Sequence, residues 1–264
     1  MPAPALFSRK RFSAFHSTAE DIALLAKESE RWENEGGHLG PFLRLNLPIK
    51  GNGLPLKKRA SPAIKASTCN LYRLASSVTE VAHAFHVATE AESNAGERVY
   101  PGAPGLVIAN GKVRSMTWGM PIAATDEDST RLLMAVNNVS KKQLDSALWR
   151  ESFAKRRCLI PLDAFAITNV LHGQIIQKWI AIADRPMFAC AGVWRDSDEW
   201  GPVYAMVMTI ISDRSGALRD GMPVVLEAAD FDIWLNGSAQ DAEKLCIPFE
   251  NELTVTFTSE PWLS

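Results

Sequence analysis

A thiol, an amide and three guanidinium groups are the side chains whose types and positions point to chemistry in this chain. Cys69 stands in STCNLYRL (67–74), where a Gly-, Pro- and Lys-punctuated stretch gives way to an apolar one. An ionised cysteine is a strong nucleophile, whereas a buried one behaves as a small hydrophobe. Cys69 therefore reads either as a nucleophile or as strand packing. Asn138, in VNNVS (136–140), reads as a pocket amide or as a turn residue. Arg73, Arg114 and Arg219 are candidates for phosphate contacts, with solvation of a charged face as the alternative. Trp118, in TWGMP (117–121), is either a stacking surface or a core ring. His83 and His86 lie on a candidate helix, but a metal would need another ligand close by, and satisfied histidines are the simpler reading. Cys69, Cys158, Cys190 and Cys246 form no CxxC pair and show no metal-type spacing. We expect neither a metal nor a cofactor, and reduced thiols in a cytoplasmic protein.

The elements that must position these groups begin after a change of texture. Residues 1–67 hold 11 Lys/Arg against 6 Asp/Glu, so this arm carries +5 while the whole chain carries −2. The body is thus mildly acidic, and any nucleic-acid site on it must be a local patch. Within the arm, Ser17 and Glu20 make a capping box for one helix that Gly36-Gly37 stops. APALFSRKRFSAFHS (3–17) reads as a disordered arm, with an organelle-targeting segment as the alternative, and Gly36 to Ser67 reads as a linker. No apolar run approaches the length of a membrane span.

From residue 68 onward, short strands are expected at CNLYRL, GLVIA, KVRSMTW, RLLMAV, RCLIP, QKWIAIA, MFACAGVW, VYAMVMTII and LTVTFTS. Helices are expected at VTEVAHAFHVATEA, KKQLDSALWRESFA, AADFDIWLNG and AQDAEKL. Many strands with few, irregularly placed helices predict an α+β fold with mainly antiparallel pairing rather than a doubly wound sheet. The expected organisation is a basic extension over 1–67 and one domain over 68–264.

Stretches TCNLYRL (68–74), YPGAPGLVI (100–108), VRSMTWGMP (113–121), AVNNVS (135–140), RRCLIPLDAFAIT (156–168), FACAGVW (188–194) and LRDGMPVVLEAADFDIWL (218–235) occur in an order that resembles the SRAP family. These are the SOS-response-associated peptidases that crosslink to abasic sites in single-stranded DNA. The likeness is to the bacterial branch that begins Met-Cys-Asn-Leu-Tyr. The resemblance implies a curved, mainly antiparallel sheet or barrel with flanking helices. It also implies that an N-terminal cysteine condenses through its α-amine with the open-chain aldehyde of the sugar, its thiol then closing a thiazolidine ring. Peptidase-type or DNA-lyase-type activity in the DNA-damage response belongs to the same picture. Cys69 falls on the nucleophile and Asn138 on the pocket asparagine. The family's glutamate position is Ile167, its histidine position is Arg219, and an arginine that follows the asparagine is Ser140. Asp163 is expected to cap the turn after CLIP. Arg73, Arg114, Trp118 and Arg219 become the candidate DNA contacts.

An amide nitrogen cannot form an imine, and in this sequence Cys69 is acylated by Thr68. Losing an acid or base costs about 10²–10⁴-fold each. Weak or absent catalysis is therefore expected of the chain as written. Three functions follow: a crosslinking enzyme whose Cys69 is exposed by processing or an internal start, a non-catalytic single-stranded DNA binder, and a scaffold without DNA function or a protein-interaction module using the arm. A monomer is expected. Cys69, Asn138, Ile167 and Arg219 should converge on one concavity, with Ile167 partly exposed.

Overall fold

A computed structural model describes residues 69–90, 95–125, 131–171, 174–212 and 218–258. The basic arm and its candidate helix lie outside these residues.

Five strands form one sheet in the order β16-β11-β10-β1-β3. They are β1 (Cys69–Arg73), β3 (Arg98–Val99), β10 (Ala164–Leu171), β11 (Gln174–Ile182) and β16 (Leu253–Thr258). A second, nine-stranded sheet contains a closed ring of β4 (Pro104–Ala109), β5 (Lys112–Trp118), β13 (Gly201–Ser212), β12 (Phe188–Ser197) and β9 (Arg157–Leu162). Parallel pairing of β13 with β5 closes the ring, while its other pairings are antiparallel. The strands β2 (Ala88–Thr89), β8 (Asn138–Ser140), β14 (Leu218–Pro223) and β15 (Val225–Leu226) attach to its members. A separate hairpin joins β6 (Met120–Thr125) to β7 (Arg131–Val136). The α+β expectation holds, with largely antiparallel pairing.

Burial explains why the ring strands read as unbroken apolar runs. FACAGVW in β12 is buried at every position, because neighbours cover both faces of the strand. Between the sheets lies an aromatic column. The Tyr72 ring meets Trp118 edge-on at 5.0 Å, and Trp118 stacks on Tyr204 at 6.5 Å. The hydroxyls of Tyr72 and Tyr204 hydrogen-bond to each other, fully buried. Gly105 of β4 is required here, since a Cβ at that position would collide with both hydroxyl oxygens.

The helices are short. Helix α1 (Val78–Ala84) starts at Ser77, whose Oγ accepts from the Glu80 N–H while Glu80 Oε2 accepts from the Ser77 N–H. The expected continuation to residue 91 does not occur. His86 takes φ 53°, and the chain turns into β2, which pairs with the start of β5. Tertiary pairing overrides local periodicity at this point. The helix expected over 141–154 is likewise broken, leaving a 3-10 turn at Lys141–Gln143 and α2 (Arg150–Lys155). Helices α3 (Phe231–Asn236) and α4 (Ala239–Lys244) occur where the sequence puts them.

Candidate functional site

Strand β1 presents Cys69 through a bulge. Its register with β10 is regular from Arg73 to Leu71 and then shifts, so that Cys69 stands opposite Ile167 and Asn70 is the extra residue. The far end of the strand is fixed by Asp163, the residue expected to cap its turn. Its Oδ2 accepts from the Ala75 N–H at 2.7 Å, and its own N–H donates to the Arg73 carbonyl at 2.8 Å.

Two asparagines meet this bulge from the other sheet. Strand β8 lies parallel to β13, with Asn138 paired to Met206. The Nδ2 groups of Asn137 and Asn138 donate to the Cys69 carbonyl at 3.1 and 2.7 Å. Asn137 Nδ2 also donates to Asn70 Oδ1 at 3.1 Å. Asn137 itself is held by its own carbonyl, which accepts from Trp118 Nε1 at 3.0 Å and from the Met206 N–H at 2.9 Å. Sequence reasoning singled out Asn138 and missed Asn137. The doublet in VNNVS was the available signal, but nothing in it says that both amides turn to one carbonyl. Asn138 Oδ1 is buried without a hydrogen-bond partner among the described residues.

The thiol of Cys69 is fully buried, and its contact is a long one to the Leu71 carbonyl at 3.7 Å. Burial pushes it up to about 12 from an ordinary value of 9.0, with backbone hydrogen bonds opposing the rise. It is therefore a neutral thiol at any physiological pH. Burial likewise raises the thiols of Cys158 and Cys190 and the phenols of Tyr72 and Tyr204, so the core beneath the site carries no charge from these groups.

The remaining sequence candidates separate. Ile167 is half-buried and packs against the core beside Cys69. The backbone of Arg219 pairs with Ile211, whereas Asn138 pairs with Met206 of the same strand. Those ladder positions are five residues apart, or roughly 16 Å at the ordinary strand rise. The Arg219 side chain lies outside the described residues. Trp118 is wholly buried, so it offers no face to a base and acts instead by holding Asn137. Arg114 is bound to Glu90 at 2.8 Å and lies 5.4 Å over the Trp194 ring, which occupies the charge a phosphate would need. Arg73 is exposed, with its guanidinium 5.8 Å over Trp179. No cluster of metal-ligating side chains occurs among the described residues. None of their helices is long and apolar enough to cross a membrane.

A five-strand ring packed on a second sheet, with the Cys69 carbonyl held by paired asparagine amides between them, defines a β-rich α+β domain. The chain belongs to the SOS response associated peptidase (SRAP) family, whose model matches residues 68–260. Solved structures share the fold. A Bordetella bronchiseptica protein aligns with a TM-score of 0.59 at 20% identity, covering 72% of this chain and 99% of that one. A Bacteroides thetaiotaomicron protein gives 0.57 at 17% identity, with 72% and 91% covered. A phage-related protein from Bordetella bronchiseptica gives 0.54 at 14% identity, with 73% and 95% covered. No curated protein matches the sequence.

Proposed function

We propose that this chain binds single-stranded DNA at the Cys69 end of the first sheet, and does not capture an abasic sugar covalently while Cys69 is joined to Thr68. The observation that carries this reading is the state of Cys69. Its nitrogen is an amide, and its thiol is buried and pushed up to about 12. Thiazolidine formation needs a free amine to condense with the aldehyde, releasing water, before the thiol adds to the imine carbon and its proton passes to nitrogen. An amide cannot take the first step. A thiol at about 12 is ionised to only about one part in ten thousand at pH 8. Ile167 adds a second obstacle, since an alkyl side chain beside Cys69 neither gives nor takes a proton. DNA binding is supported by family membership and by the exposed guanidinium of Arg73 on the same strand.

One observation favours a second reading, covalent capture by a chain cut before Cys69. Asn138 Oδ1 is a buried acceptor without a partner, next to the Cys69 main chain. A free α-amine at Cys69 would supply an N–H for this acceptor and, in its neutral form, the nucleophile for the aldehyde.

The test uses an oligonucleotide carrying one abasic site, with native and denaturing gels run in parallel. The full chain should retard abasic and intact strands alike, with binding that weakens steeply as salt rises, and should leave no adduct under denaturing conditions. A denaturant-resistant adduct specific to abasic DNA would overturn the first reading, as would failure to bind at low salt. A chain beginning Met-Cys69, with Ile167→Glu beside it, should recover the adduct if the second reading is right.

A further inference from the structure

The line of backbone partners that starts at Cys69 continues past Ile167. Cys69 pairs with Ile167, Ile167 with Lys178, and Lys178 with Phe257, crossing β1, β10, β11 and β16. Directly paired residues share a sheet face. The next line along that face, Phe165, Ile180 and Val255, enters the core at its inner end, where Phe165 is 0% and Ile180 5% exposed. Toward β16 the face opens. Ile167 and Lys178 are half-buried, Val255 is 41% exposed and Phe257 60%. An ammonium and a phenyl ring therefore stand side by side on adjacent strands, about 5 Å apart at the backbone. Lys178 makes no ion pair with a described carboxylate.

We propose that Lys178 and Phe257 form a nucleotide subsite flanking Cys69, in which the Phe257 ring stacks on a base and Lys178 neutralises a neighbouring phosphate of single-stranded DNA. The proposal rests on the single-strand reading above and says where the strand runs. Three inter-strand steps put β16 about 14 Å from β1. Single-strand charges are spaced no closer than the ~3.4 Å per nucleotide of a duplex strand. The subsite thus lies within about four nucleotides of the one at Cys69. An aromatic face beside a cation is the combination that sequence-tolerant single-strand sites use. A second copy of the chain is a poorer occupant. An aromatic side chain buries about 150–250 Å², so Phe257 and Val255 together fall well short of the ~800 Å² per partner of a stable interface.

The experiment follows fluorescence anisotropy of a labelled oligothymidylate with the full chain over a series of salt concentrations. Phe257→Ala should weaken binding about 10-fold with the salt slope unchanged, and Phe257→Trp should restore it. Lys178→Ala should lower the salt slope by about 0.7, and Lys178→Arg should keep it. Thermal melts of all four variants should match the parent, since both side chains lie at the open end of the sheet. Parent-like affinity and slope in both alanine variants would overturn the subsite while leaving the single-strand reading standing. A parent chain that binds no oligonucleotide would overturn both. Light scattering that shows Phe257→Ala dissolving a dimer, with DNA affinity unchanged, would assign the patch to a second copy and overturn the proposal.

Discussion

Two buried polar centres in this molecule are built on opposite principles. At the first, Arg157 of β9 is only 6% exposed and has no carboxylate partner among the described residues. Its guanidinium donates to the Phe153 carbonyl at 2.6 Å, the Ala154 carbonyl at 3.3 Å, and the carbonyls of Trp234 and Gly237. Those oxygens belong to the C-terminal ends of α2 and α3, where helix carbonyls lack intrahelical donors and the dipole favours a cation. The indole of Trp234 closes the arrangement by donating to the Cys158 carbonyl at 2.9 Å. At the second centre, two asparagine amides grip the Cys69 carbonyl, yet Asn138 Oδ1 is left buried without a donor. A network in which four guanidinium N–H bonds meet four carbonyls holds structure in place. A network with one open acceptor bears a cost that a ligand or a new terminus can remove, which is why the second centre is read as functional.

The contrast can be broken most severely at Arg157. Arg157→Met should leave several helix-end carbonyls without donors, costing about 3 kcal/mol or more at roughly 1–3 kcal/mol per unsatisfied buried group. For a domain of this size, that lowers the melting temperature by on the order of 10 °C, readable by calorimetry.

The asparagines should then divide by degree of satisfaction. Asn137→Ala removes donors to two acceptors, Cys69 O and Asn70 Oδ1, and should cost about 2 kcal/mol in denaturant titrations. Asn138→Ala removes one bond but also deletes the orphaned Oδ1, so its cost should be about 1 kcal/mol or less. Equal losses for the two variants would show that the open acceptor carries no penalty.

Cys69 gives the smallest effect near neutral pH. Its folded value lies above its ordinary 9.0, so the stability that burial of the neutral thiol contributes is fully present below about pH 9. It is lost as pH climbs toward 12. Cys69→Ala should make this part of the stability profile less steep in urea titrations between pH 8 and 11, by one group's share, since the other buried thiols and the phenols of Tyr72 and Tyr204 are raised by burial as well. In the parent at pH 8, an aromatic disulfide reagent should label Cys69 only as fast as the protein opens. Immediate labelling in native protein would place the thiol at the surface and remove the contrast.

Much of the architecture was legible from apolar pattern and turn chemistry. FACAGVW and RCLIP are short apolar runs with no helical period, and they became ring strands buried on both faces. The apolar face that begins at Val78 set the start of α1 correctly, and the structure adds a capping box at Ser77. Its end was not legible, because the pairing of Ala88–Thr89 with β5 is a contact between residues more than twenty apart. The site was half legible. Cys69, Asn138 and Ile167 were marked by motif and lie together, whereas Trp118 was open between a DNA-facing ring and a core ring, and its burial favours the core.

What the sequence alone determined is the kind of groups available: an acylated cysteine, an alkyl side chain at the family's acid position, and strands enough for an α+β core. Those follow from covalent structure and from side-chain periodicity, which are local properties. Only the tertiary structure decided that Asn137 joins Asn138 on one carbonyl, or that Arg157 rather than its neighbour Arg156 spans two helix ends. It also decided that Lys178 and Phe257 extend the line from Cys69 to the sheet edge. Each of these depends on strand register, and register brings together residues that no local pattern relates.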